Sequence, residues 1–357
     1  MNNKIISFPS LADYNTPIKF LIENLTDYEI KLSKPITKRT LELGAKYSPD
    51  YVCLPFKYTL GNFIESLEDG ANVLVQAGGG CRFGYYFELQ KQILNDLGYD
   101  FEFYSLTDND VNGITSIYKT IKKLNPNIKI TKYLYYLLLT FLMIYFMDKT
   151  DMYIRKNIGF EINKGSFDRV KKSMLVKFSK TKGIIDLIKK YYYYNKKFKN
   201  ISLDKPKNCL KIGVVGELYT SMEPHSNYFL EKELASMNIE VTRFTNVTFL
   251  LVTKRFTEKY YLRKIKKYCK YSLGSDAMDN IARAKILIKK GYDGIIHIKP
   301  FGCTPEIGGM KILENLCNNE NIPLMFLTFD TNTSELGIKT RLEAFYDMLV
   351  MRRNNEK

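Results

Sequence analysis

Three of the six cysteines in this chain stand where an apolar run gives way to a turn. Cys81 follows Asn72 to Ala77 and the glycines Gly78, Gly79 and Gly80; Cys303 follows Asp293-Gly-Ile-Ile-His-Ile298 and Lys-Pro-Phe-Gly; Cys53 follows Tyr51-Val and precedes Leu-Pro55. A thiolate is both a nucleophile and a soft metal ligand, and the open amides of a helix N-terminus favour that anion. The other three cysteines have different settings. Cys209 precedes a predicted strand, Cys269 falls inside a lysine-rich helical stretch, and Cys317 closes a helix. Two familiar glycine-loop readings fail on spacing: a dinucleotide fingerprint from Gly78 needs glycine where Phe83 stands, and a phosphate loop from Gly79 to Gly84 lacks its lysine because Tyr85 follows.

Three dispersed thiolates suit zinc or an iron–sulfur cluster. A closed zinc site normally brings a fourth ligand and often a close Cys-x-x-Cys pair, neither of which the sequence offers. Spacing alone does not choose between the two, and three dispersed thiolates fit a cubane with one iron left open. The competing reading is a set of small buried thiols at tight turns.

The elements that must position these cysteines alternate between strand and helix. Tyr51 to Pro55 reads as the end of a short strand broken by Pro55, Lys57 to Leu67 as a helix stopped by Asp69-Gly70, Asn72 to Ala77 as a buried strand, and Tyr86 to Leu97 as a helix stopped by Gly98. A further strand falls near Tyr99 to Tyr104, and a helix near Ile18 to Leu25. After a long helical stretch the alternation resumes, with strands at Cys209 to Gly216, Ile239 to Phe244, Asp293 to Ile298 and Pro323 to Thr328. Helices are expected over Asn227 to Met237, Arg255 to Leu273, Ala277 to Lys290, Ile307 to Cys317 and Thr340 to Arg352. The reading is α/β: two open, Rossmann-like or flavodoxin-like parallel-sheet domains at 1–106 and 206–357, with a helical insert at 107–205 and a metal cluster in the interdomain cleft.

Composition supports a packed globular chain of 357 residues, 45% hydrophobic, with 27 tyrosines, 22 phenylalanines and no tryptophan. The net charge of +16 raises a polyanion-binding reading. The lysines, densest between Lys171 and Lys207, accompany no recognition helix or aromatic RNA motif, so they read as a solvated helical face and nucleic acid is not expected. The apolar segment Tyr133 to Met147 is shorter than the roughly 20 residues that span a bilayer and reads as a buried helix. With no export signal evident and six cysteines available, the expected compartment is the reducing cytoplasm, without membrane association.

The chain resembles the 2-hydroxyacyl-CoA dehydratase/benzoyl-CoA reductase family, small iron–sulfur subunit type, including proteins related to acyl-CoA dehydratase activases. The resemblance rests on Cys53-Leu-Pro-Phe-Lys57, Gly78-Gly-Gly-Cys-Arg-Phe-Gly-Tyr85, Gly216-Glu-Leu-Tyr219 with Glu223-Pro and Asn227, Asp293 to Glu306, and Thr340-Arg-Leu-Glu-Ala-Phe345. It implies Cys53, Cys81 and Cys303 as ligands of a [4Fe-4S] cluster whose fourth iron position is open. It also implies a low-potential electron delivered by an ATP-hydrolysing activator with its own iron–sulfur cluster, a second dehydratase subunit, and an acyl-CoA substrate reduced to a ketyl radical. A single cubane is preferred over a double one, since the remaining cysteines are poorly placed.

Around the ligands, Gly78, Gly79 and Gly80 permit close approach to the cluster or simply make the turn, and Arg82 balances its charge, binds an anionic substrate or forms a surface salt bridge. Glu306 and His297 are the candidate proton-handling residues, with a helix cap and a satisfied core histidine as their structural counterparts. Glu217 and Glu223 are weaker candidates of the same kind. Two other functions compete with a dehydratase component: a non-catalytic iron–sulfur electron carrier or activation partner, and a basic nucleic-acid-binding protein with packed thiols.

Overall fold

The computed structural model describes residues 4–78, 81–106 and 113–355. Two compact units result, 1–143 and 144–357.

In the first unit, β1 (Ile5–Ser7), α1 (Asn15–Leu25), β2 (Glu29–Ile30), α2 (Lys38–Tyr47), α3 (Leu54–Glu68), β3 (Val73–Gln76), α4 (Tyr86–Asp96) and β4 (Glu102–Ser105) precede α5 (Gly113–Leu124) and α6 (Ile130–Asn157), which crosses the unit boundary. The strands form one parallel sheet in the order β2-β1-β3-β4. Side chains alternate across a strand, so β3 serves two cores. Val73 and Val75 pack with Ile6, Ile22, Leu25, Ile121 and Leu124. Leu74 points the other way, among Phe56, Leu60, Phe63, Leu94 and Phe103. A strand covered on both faces is continuously apolar, which is why this segment shows no polar alternation.

The second unit continues with α7 (Ser166–Ser179), α8 (Ile184–Lys199), β5 (Lys211–Gly216), α9 (Leu218–Met222), α10 (Leu230–Ser236), β6 (Glu240–Arg243), α11 (Lys254–Ile265), α12 (Ala277–Lys289), β7 (Gly294–Pro300), α13 (Thr304–Asn319), β8 (Leu324–Phe329) and α14 (Glu335–Asn355). Its parallel sheet has the order β6-β5-β7-β8, the same winding as the first. Val215 and Ile295 pack against Ile281, Leu287, Leu313 and Leu316 of α12 and α13. At Gly294 a Cβ would lie 3.0 Å from the Phe345 ring, showing how closely α14 covers the sheet.

Several expectations need correction. Residues 51–53 are not a strand: Tyr51 has a left-handed φ of 64° in a turn, and Pro55 opens α3 instead of breaking a strand. Proline suits the first helical turn, where its missing N–H has no intrahelical acceptor. Helix α11 ends at Ile265, so Cys269 lies beyond it, buried, with its thiol donating to the Tyr271 carbonyl at 2.9 Å. The apolar segment expected to be a buried helix belongs to a 28-residue helix, α6. Together with the turn that follows, it is the one helix among the described residues long and apolar enough to cross a membrane, and 33% of its most apolar window is buried. Tyr133, Leu139, Met143 and Met147 face inward while Leu134, Tyr135 and Leu138 face out. The start of the expected insert, at 107–112, and Gly79 and Gly80 lie outside the described residues.

Candidate functional site

In the first unit two cysteine motifs meet at one aromatic side chain. Cys53 is the N-cap of α3 and is half-buried. Cys81 caps the 3-10 turn Arg82–Tyr85, is exposed, and its sulfur accepts from the Phe83 amide at 3.5 Å. Tyr86, the first residue of α4, hydrogen-bonds Cys53 Sγ through its hydroxyl and packs at a tilt against Phe83, with ring centres 4.7 Å apart. Gly78 is half-buried and Arg82 is exposed. The last residue of β3, Gln76, is buried, and neither atom of its amide has a hydrogen-bond partner among the described residues. Tyr86 and Gln76 were not singled out from the sequence. The only trace of Gln76 there is one polar side chain ending an apolar run.

In the second unit β7 and α13 build a buried polar group. Gly302, at φ 77°, turns the chain so that Cys303 becomes the N-cap of α13, with Pro305 in the first turn. This repeats the Cys-x-Pro start of α3. Cys303 is half-buried. Three residues on, Glu306 points into the protein, 2% exposed, where Oε2 lies 2.6 Å from His297 Nε2 and Oε1 accepts from Asn280 Nδ2 at 2.9 Å. An ionised carboxylate can only accept, so Nε2 is the donor in this pair and Nδ1 faces the other way. That Nδ1 is buried and has no partner among the described residues. His297 and Glu306, candidates on separate grounds in the sequence, are therefore one unit, and Asn280 of α12 completes it.

Two residues beyond His297 on the same strand, Lys299 is 5% exposed and forms no hydrogen bond or ion pair among the described residues. Burial pulls its ammonium below the usual lysine range, opposed by the charges of Cys303 and Glu306. Glu217 and Glu223 have capping roles. The Glu217 carboxylate accepts from the Tyr219 and Thr220 amides at 2.9 and 2.8 Å, and burial pushes it up to about 7 against those bonds. Glu223 accepts from the His225 amide at 3.3 Å.

The other cysteines are packing groups. Cys209, Cys269 and Cys317 are buried free thiols, and burial pushes Cys317 up to about 12, which keeps it neutral. Among the described residues no group of three or more His, Cys, Asp or Glu side chains is gathered as a metal site. Cys53, Cys81 and Cys303 each sit at the start of a helix or 3-10 turn, a setting that favours the thiolate and that the packing cysteines lack.

The two parallel sheets define the class as an α/β protein, with Cys81 and Cys303 following the carboxyl ends of β3 and β7. Comparison adds a match over part of the chain: residues 215–349 fit the model of the 2-hydroxyglutaryl-CoA dehydratase D-component. It runs from the end of β5 into α14 and contains His297, Lys299, Cys303 and Glu306, while Cys53 and Cys81 lie outside it. No curated protein matches the chain.

Proposed function

We propose that this chain is an iron–sulfur component of a 2-hydroxyacyl-CoA dehydratase-type system in a reducing cytoplasm, with Cys53, Cys81 and Cys303 as ligands of a [4Fe-4S] cluster. The observation that carries this reading is the family match over the stretch that sets Cys303 on the N-terminus of α13 beside the buried His297–Glu306 pair. A cluster held by Cys53, Cys81 and Cys303 would supply one-electron chemistry between an ATP-dependent activator with its own iron–sulfur cluster and an acyl-CoA thioester.

The protein's own groups have separable tasks. The N-terminal dipoles of α3 and α13 and the Phe83 amide stabilise the thiolates. Glu306 and Asn280 fix the His297 ring so that Nδ1 is the atom able to take a proton, and Glu306 stabilises the imidazolium that results. Arg82, exposed beside Cys81, offers a charge to an anionic substrate or to a second subunit.

Anaerobic purification with iron and sulfide analysis and electron paramagnetic resonance, with a Cys81→Ala variant in parallel, tests the assignment. One cubane per chain, lost in the variant, is the expected result, followed by acyl-CoA turnover once an activator and a second subunit are supplied. Reversible reduction without thioester turnover identifies an electron carrier instead. A colourless protein after anaerobic reconstitution rejects the cluster.

A further inference from the structure

The stretch that the sequence marks as a solvated basic face also carries an apolar one. Residues 144–207 hold 17 Lys and Arg against 6 Asp and Glu, most of the net charge of +16. Four of the six acids are engaged within the unit: Asp148 accepts from the Thr248 amide at 2.7 Å, Asp151 pairs with Lys171 at 2.8 Å, Glu161 accepts from the Phe167 amide at 3.0 Å, and Asp186 pairs with Lys190 at 2.7 Å. On the outer side of α8, Ile185 is 71% exposed and Tyr192 65%, and one turn beyond each stand the exposed Lys189 and Lys196. A helix that is apolar on every side is ordinarily covered on every side. Helix α6 is not: Leu134, Leu138 and Tyr145 share one side of it and face outward, the two leucines half-exposed. The two helices meet where Phe146 stacks on Tyr191 with ring centres 4.1 Å apart, so the exposed Tyr145 and Tyr192 flank one contact.

The occupant of this surface has to satisfy both of its properties. A second copy in a two-fold contact would set the patch against itself, lysine facing lysine. A nucleic acid would engage the lysines and leave the aliphatic side chains in water. An anionic lipid surface meets both: its headgroups attract the ammonium groups, its acyl boundary takes Leu and Ile, tyrosine sits at the level between, and no shape matched to a convex pair of helices is needed. We propose that the outer faces of α6 and α8 dock this protein peripherally on an anionic membrane surface. This is surface binding without a span, and it is independent of the cluster.

The test is co-flotation of the 357-residue chain with vesicles of phosphatidylcholine alone and with roughly one-third phosphatidylglycerol added. Wild type is compared with Ile185→Ser/Tyr192→Ser, Leu134→Ser/Leu138→Ser and Lys189→Glu/Lys196→Glu, and with Leu336→Ser on α14, another exposed apolar residue, as control. Circular dichroism and sedimentation velocity report the fold and oligomeric state of each. Wild type is expected to bind the phosphatidylglycerol vesicles, at least about tenfold more weakly in each paired variant and unchanged in Leu336→Ser. The serine pairs lie on different helices, so if one misfolds the other decides. Equal binding to both kinds of vesicle overturns the proposal, as does binding that neither folded serine pair weakens, because charge and apolar contact would then not act together. A wild type that binds no vesicles and is a dimer, with the serine pairs monomeric, overturns it in favour of a second copy. A monomeric wild type that binds no vesicles overturns it in favour of an acidic protein partner.

Discussion

The two sheets share one winding, and in both the third strand of the unit runs towards a cysteine, Cys81 after β3 and Cys303 after β7. They differ in how the preceding helix is held. In the first unit α3 packs against α2 through glycines at backbone contact: a Cβ on Gly44 would fall 1.7 Å from the Lys57 carbonyl, and one on Gly61 would fall 1.9 Å from that of Thr40. In the second unit α12 is held by buried polar groups. Lys254 pairs with Asp276 at 2.7 Å and with Asp279 at 3.3 Å, and the Arg283 guanidinium lies 3.6 Å from the centre of the Phe249 ring while donating to Thr245 at 2.8 Å. Cys53 begins the first of these helices, whereas Asp276 stands at the N-cap of the second. One topology therefore presents either a thiol or a carboxylate at the same stage of its winding, and fixes the helix by close packing or by charge. Fold alone does not set the chemistry; the cap residues do.

The largest effect that would break this comparison is on metal content. Cys53→Ala, Cys81→Ala and Cys303→Ala are each expected to reduce iron from about four atoms per chain to near none. If only Cys303→Ala does so in an iron assay, the centre belongs to the second unit alone. Next in size, Gly44→Ala is expected to destabilise the first unit by about 3 kcal/mol or more, since a backbone carbonyl cannot move aside as a flexible side chain can. Hydrogen exchange should then rise across α2 and α3 and stay unchanged in β5 and β7; equal loosening of both units would reject the local account.

A third effect distinguishes the units by acid. Glu231 lies 2.9 Å from Arg155 and 2.5 Å from Arg243, and although burial pushes its carboxyl up, the two guanidinium groups bring it down to about 2. A carboxyl held low contributes fully above its ordinary value of 4.5, and that contribution is lost as pH falls towards about 2. Glu231→Gln should therefore cost on the order of 2 kcal/mol near neutral pH and flatten the acid limb of a stability curve between those values. A parallel shift of the whole curve would contradict it. The smallest effect is expected from Cys317→Ala, about 1 kcal/mol in denaturant unfolding with iron content unaltered, because this thiol only fills space among apolar neighbours.

Local patterns in the chain specify much of this molecule. The apolar run of β3 and the stop at Gly98, the helix α3 ending before Gly70, and the strand β7 running into Cys303 all follow from contacts between near neighbours, so their periods and stop signals survive in one dimension. The places of Cys81 and Cys303 after β3 and β7 are legible for the same reason, whereas Cys53, expected at a strand end, begins α3 instead. Strands β1 and β2, with 3 and 2 residues, are too short to show a period, and exist because pairing with the longer β3 and with each other satisfies their backbone. Pro55 reads equally well as a breaker or a starter until the chain on either side is placed. Only the tertiary structure joins Tyr86 to Cys53 across 33 positions, or Asn280 to Glu306 across 26, since hydrogen bonds of that span come from chain reversal and leave no spacing rule behind. Burial is likewise collective: Lys299 is one lysine among many in the sequence, and it is the packing around the end of β7 that leaves it only 5% exposed.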